Sequence, residues 1–242
     1  MKEMKPEKEM TKTQVFNVVI LDKSGSMQSI RHAAVDGFNE TLTSIKKAQE
    51  KFSGTQNHYV TLVTFCSCEI KYVLDKEPAT EVHPLVMGDY VPCCCTPLYD
   101  AMGFTLTAMR KYVSGLKDVA VVVTVITDGL ENASREYTGR DIKLLVEQLK
   151  GEGWTFTYMG ANQDSLEVAM NLSIRNARNF DCTDEGTRAC MRKDSSTRMN
   201  FFVRLNDFKK TESMCEAPMS DQERRSCYTS MADDAFDEEE SK

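Results

Sequence analysis

The chain has 242 residues, 41% of them hydrophobic, enough for a sizeable core in one large domain or a domain with an appendage. Its formal net charge of -7 excludes the long basic surface that a phosphate backbone requires, so nucleic acid is not an expected partner. The opening MKEMKPEKEMTKTQ alternates charges without the apolar stretch of a secretory signal, and no later run is long enough to cross a bilayer. A cytoplasmic protein with no membrane partner is the expectation.

Residues 1–13 are polar and expected to be flexible. Residues 14–22, QVFNVVILD, read as a strand buried on both faces, because the apolar run is short, β-branched and abruptly ended. From Ile30 the spacing turns helical, with Ala34, Phe38, Leu42 and Ile45 on one face. The runs at 58–67 and 69–75 predict a tight antiparallel pair at a sheet edge. After a loop from Lys76 to Cys95, the spacing predicts a helix with Thr96 as its cap and Pro97 in its first turn. Leu98, Met102, Met109 and Tyr112 are its expected buried stripe.

Residues 119–129, VAVVVTVITDG, are the most apolar segment and predict a central parallel strand closed by Asp128 and Gly129. A helix at 139–150, a strand at 154–161, a helix at 165–172, a short edge strand at 177–182 and a last helix within 183–205 complete the pattern. Beyond Asp207 charge dominates, and 208–242 is expected to be an acidic, disordered tail. The alternation of strands and helices implies a mostly parallel sheet covered on both faces, whose functional residues lie beyond the carboxyl ends of its strands.

Asp22 and Asp128 both sit at such ends. Two carboxylates brought together there repel one another unless a cation lies between them or one is protonated. Behind Asp22, the alternate spacing of Ser24 and Ser26 allows both hydroxyls to turn to one point, with Gly25 expected to permit the sharp turn. Thr96, a hydroxyl in a loop beyond the strands, is a natural further donor. Hydroxyl and carboxylate oxygens without imidazole or thiolate suit Mg2+ or Mn2+ better than zinc, and leave at least one coordination position for water or a ligand.

The segments DKSGSM at 22–27, TPLYDA at 96–101 and TDGLEN at 127–132 resemble the von Willebrand factor type A domain and its metal-ion-dependent adhesion site, in a bacterial-type, cytosolic, single-domain form. The resemblance covers 14–207. It implies an α/β, doubly wound, Rossmann-like sheet, mostly parallel with one antiparallel edge strand and helices on both faces. It also implies metal ligation by Asp22, Ser24, Ser26, Thr96 and Asp128, completed by an Asp or Glu carboxylate of another protein. The implied activity is binding, not turnover.

Two other readings compete. An aspartate-based phosphatase with Asp22 as nucleophile needs a second acid two residues on, where Ser24 stands, and a metal-free scaffold would use only the acidic and apolar surfaces. Neither a Gly-x-Ser-x-Gly elbow nor a phosphate-binding Gly-x-x-x-x-Gly-Lys loop is present. His32, His58 and His83 are scattered over different elements and are read as solvated or core residues. Glu131 and Asn132 are read as a solvated loop face.

The chain departs from the family pattern before Thr96, where Cys93, Cys94 and Cys95 stand. With Cys66 and Cys68 they fall on one rim of the sheet, where thiols can bind a soft metal or sense oxidants. Their spacing matches no zinc pattern, and the favoured reading is reduced, partly buried small residues.

Overall fold

Six strands form one sheet in the order β3-β2-β1-β4-β5-β6 in the computed structural model, which describes residues 11–161, 164–215 and 219–240. The strands are β1 (Thr13–Asp22), β2 (Gln56–Cys66), β3 (Glu69–Pro78), β4 (Val119–Thr127), β5 (Trp154–Ala161) and β6 (Asn176–Phe180). All pairs are parallel except β2 with β3, the expected antiparallel edge pair.

The apolar run of β1 alternates between two cores. Val15, Val19 and Leu21 face one side, and Phe16, Val18 and Ile20 the other. Helices α1 (Arg31–Lys51), α5 (Asp184–Met214) and α6 (Asp221–Glu240) cover the first side, while α2 (Leu98–Val113), α3 (Gly139–Gly151) and α4 (Asp164–Asn171) cover the second. A sheet buried on both faces is why the central strands read as continuous hydrophobic runs.

Ala34, Phe38, Leu42 and Ile45 are all buried on α1, as their spacing predicts. On α2 the stripe runs Leu98, Met102, Leu106, Met109 and Val113, while Tyr112 is 49% exposed. The stripe steps by four, four, three and four residues, so the last turn presents position 113 and leaves 112 about 100° away. Tyr112 instead lies edge-on to Phe16 at 5.7 Å.

The carboxyl-terminal residues correct a further expectation. Helix α5 continues past Asp207 to Met214, and Asp221–Glu240 is helical, where a disordered acidic tail was expected. Tyr228, Ala232, Ala235 and Phe236 recur at helical spacing and are buried, so the charge of this segment conceals one apolar face. The Tyr228 hydroxyl donates to Asp118 Oδ1 at 2.7 Å, Arg224 pairs with Glu212 of α5 at 2.7 Å, and Arg204 of α5 pairs with Glu238 at 2.5 Å. At the other end, Thr13 is already in β1 and buried, while 1–10 of the expected flexible segment lie outside the described residues.

Docking of α6 makes Tyr228→Ala costly. We expect a loss of about 3 kcal/mol, the cost of an emptied aromatic site, read as a lowered midpoint in urea unfolding. An unchanged midpoint would mean that α6 does not pack on the sheet.

Candidate metal centre

The sheet order reverses direction between β1 and β4: the chain leaves β1 toward β2 on one side, and β4 toward β5 on the other. The loops after these strands therefore diverge and leave a crevice at the carboxyl end of the sheet. Asp22 is the last residue of β1 and Asp128 follows the last residue of β4, so the topology delivers both carboxylates to that crevice. Both are buried.

Asp22 is fixed through each oxygen. Its Oδ1 accepts from the Ser24 amide at 2.7 Å, its Oδ2 accepts from Thr127 Oγ1 at 2.6 Å, and its carbonyl accepts from the Tyr90 hydroxyl. Ser24 then starts a short 3-10 turn, Gly25–Ile30, in which the Ser24 and Ser26 hydroxyl oxygens lie 3.1 Å apart and Ser26 Oγ donates to Asp128 Oδ1 at 2.6 Å. The expected role of Gly25 is not observed. Its φ is not positive, and a Cβ there would meet the Cys94 backbone at ordinary distances, the carbonyl oxygen at 3.4 Å and the nitrogen at 3.8 Å. The Gly25 amide donates to that same carbonyl at 2.9 Å.

Thr96 does not cap α2. The cap position is Pro97, without a side-chain cap bond, and the first-turn amides of Tyr99 and Asp100 go to Glu131 Oε2 at 2.9 Å and Ser134 Oγ at 3.0 Å. The Thr96 hydroxyl is thus not engaged by its own helix. Asn132 Oδ1 accepts from the Thr96 amide at 2.8 Å, and the Asn132 amide returns a bond to the Thr96 carbonyl at 3.1 Å. Glu131, half-buried, and Asn132, exposed, therefore brace these loops from a face that still meets solvent.

The five predicted oxygen-bearing residues meet around Gly129. A Cβ on that glycine would stand 3.2 Å from Thr96 Oγ1, 3.5 Å from Ser26 Oγ and 4.0 Å from Asp22 Oδ2. Ser24 and Asp128 join through their contacts with Ser26. Such a cradle, a convergence of hydroxyl and carboxylate oxygens, fits a hard divalent cation. Ser26 is exposed, which leaves the cradle open on one side.

The electrostatics agree. Burial pushes the Asp22 carboxyl up to about 6, against the lowering effect of Thr127 and Ser24 and with a smaller push from Asp128. Burial also raises Asp128, while Ser26 lowers it.

Spacing alone did not single out Tyr90, Thr127 or Asp100. Asp100 accepts from the amides of Arg135, Glu136 and Tyr137 at 2.8, 2.9 and 2.9 Å, which pins the loop after β4 against α2. Thr127 and Asp100 left a trace in the sequence, inside the segments TDGLEN and TPLYDA, while Tyr90 left none. The histidines follow expectation: His32 and His83 are exposed, and His58 is buried beside Gln56.

No protein-family model matches the sequence, and no curated protein matches it either. Solved structures do share its fold. The pilus adhesin SpaC from Lactobacillus rhamnosus GG aligns with a TM-score of 0.54 at 16% identity, over 79% of this chain and 30% of the adhesin. Manganese-loaded Plasmodium vivax TRAP aligns at 0.50 and 15% identity over 75% of this chain and 73% of TRAP. The VWA domain of SpRpn10 aligns at 0.50 and 9% identity over 74% of this chain and 94% of that domain. This chain thus spans under a third of the adhesin, and its fold is that of von Willebrand factor type A domains.

Two outcomes follow for the isolated protein, the first of them in chelator. An acid raised by folding binds its proton more tightly in the native state, so its contribution is fully present below about pH 4 and is lost as pH rises through about 6. Asp22→Asn should therefore raise stability by up to about 3 kcal/mol at pH 7.5 and leave it unchanged at pH 3.5, measured by urea unfolding. Gly129→Ala should place a methyl among the donor oxygens, and is expected to reduce Mn2+ affinity by at least about tenfold in a calorimetric titration without lowering the melting temperature in chelator.

Proposed function

We propose that the chain is a metal-dependent protein-binding module, an adaptor of the cytoplasm. A divalent ion, Mg2+ or Mn2+, is held by Asp22, Ser24, Ser26, Thr96 and Asp128 and is completed by an Asp or Glu carboxylate of a partner protein. The observation that carries this reading is the convergence of donor oxygens from three separate loops on the space in front of Gly129.

When bound, the ion supplies a focused positive charge that offsets Asp22 and Asp128 and attracts a carboxylate. The chain's own residues supply the rest. Thr127 and the Ser24 amide orient Asp22, Asn132 holds Thr96 in place, and the exposed Ser26 edge admits the partner. Leu130, 57% exposed, and Val91, 52% exposed, stand on the same loops as the donors and offer apolar contact around a charged centre. That a structure of this fold is manganese-loaded accords with the choice of ion.

Binding without turnover is the proposed activity. The position two residues after Asp22, where a phosphatase of this kind places its acid, is Ser24, and its hydroxyl contacts Ser26.

Mg2+ or Mn2+ at a hundred times its dissociation constant should add about 2.7 kcal/mol of stability to the wild type and none to Asp22→Ala or Ser26→Ala. Identical melting with ion and with chelator would remove the metal centre. Capture of a partner from source lysate should occur in Mg2+, fail in chelator and fail with Thr96→Ala; capture that ignores all three would refute the proposed mode of binding.

A further inference from the structure

Two turns that meet beside the Asp22 loop carry five cysteines, four of which pair sulfur against sulfur. Cys66 ends β2, Cys68 follows across the β2–β3 turn, and Cys93 and Cys94 belong to the loop that leads to Thr96. The Sγ atoms of Cys66, Cys68 and Cys93 all lie within 4.8 Å of one another. Cys93 Sγ is 3.5 Å from Cys66 Sγ, and Cys94 Sγ is 3.0 Å from Cys68 Sγ. Four sulfurs about 2.3 Å from a tetrahedral ion are separated by about 3.8 Å, so Cys66, Cys68 and Cys93 already stand near cage spacing and Cys94, in contact with Cys68, closes on the other two when an ion binds.

Packing alone does not explain this cluster. Cys68 and Cys94 are exposed and Cys93 is half-buried, so their thiols gain little as small hydrophobes. Cys94 also adopts a left-handed backbone with φ of 63°, a conformation unfavourable for a residue with a Cβ. The turn and the loop are braced independently of the sulfurs: the Ser67 amide donates to the Cys95 carbonyl at 3.0 Å, and the Cys95 amide donates to Ser67 Oγ at 3.1 Å. Three thiols are therefore held together, with Cys94 against Cys68, by a backbone that is already in place.

We propose that Cys66, Cys68, Cys93 and Cys94 form a second metal site, a tetrahedral thiolate cage for a soft divalent ion of which Zn2+ is the type. On binding, each ligating thiol releases its proton to solvent and no redox step is involved. The site does not depend on an ion at Asp22, but it adjoins that loop through backbone bonds. The Cys93 amide donates to the Lys23 carbonyl at 2.8 Å, and the Cys94 carbonyl accepts from the Gly25 amide at 2.9 Å. An ion in the cage locks the β2–β3 turn and the Thr96 loop to the segment that bears Ser24 and Ser26.

The test uses Co2+ as probe, added to the reduced full chain in excess Mg2+. One equivalent is expected to give the near-ultraviolet thiolate-to-cobalt charge-transfer absorption and the strong visible bands of a tetrahedral site, both bleached by one equivalent of Zn2+. Cys68→Ser and Cys94→Ser replace exposed residues that the core does not need, and each should weaken Co2+ binding by more than about tenfold. Cys215→Ser, exposed and outside the cluster, should bind as the wild type does. Absence of charge-transfer absorption in the wild type, or unchanged binding in Cys68→Ser and Cys94→Ser, would overturn the proposal.

Discussion

The burial of the Asp22 carboxylate at the end of β1 is the constraint on which the rest of the site depends. An ionised carboxylate withdrawn from water must be compensated by donors or by a cation, and here a second buried carboxylate, Asp128, arrives from the neighbouring strand. The available donors, Thr127 Oγ1 and the Ser24 amide, do not suffice, because burial still pushes the carboxyl up to about 6. The sheet topology creates the difficulty and also the opening: the crevice between diverging loops is where β1 and β4 both end.

Rigidity comes from polar side chains that never reach the cradle. Glu131 collects the amides of Ala133 and Ser134 through Oε1 at 2.8 and 2.7 Å and that of Tyr99 through Oε2 at 2.9 Å, while Asp100 collects three amides of the following loop. The first turn of α2 is thus satisfied by the loop after β4. This division of labour leaves the Thr96 hydroxyl directed at Gly129. A capping threonine would have been drawn to its own helix.

The first core has an equivalent device at the opposite end of the sheet. Tyr228 of α6 reaches Asp118, just before β4, and Lys209 of α5 pairs with the same carboxylate at 2.6 Å. Together with Arg198, which donates to Asn17 of β1 at 3.2 Å and to Thr124 of β4 at 2.6 Å, these contacts fasten α5 and α6 to the two strands that carry the acidic pair.

Much of this was legible in the chain itself. Uninterrupted β-branched runs at 18–20 and 121–126 marked strands buried on both faces, and the abrupt change to oxygen-bearing residues at Asp22 and Asp128 marked where they end. Local pattern determined the elements, the antiparallel edge pair and the five oxygen-bearing residues, because strand and helix periodicities are properties of neighbouring residues. Tertiary structure decided what depends on partners distant in sequence. It decided that Thr96 faces the cradle because Glu131 and Ser134 take the amides it would have capped. It decided that the acidic segment 221–240 is a helix, because Tyr228, Ala232 and Phe236 find a core that α5 and the sheet provide. It also brought Cys66 and Cys68 against Cys93 and Cys94, since no spacing along the chain records that the β2–β3 turn and the Thr96 loop fold onto the same rim.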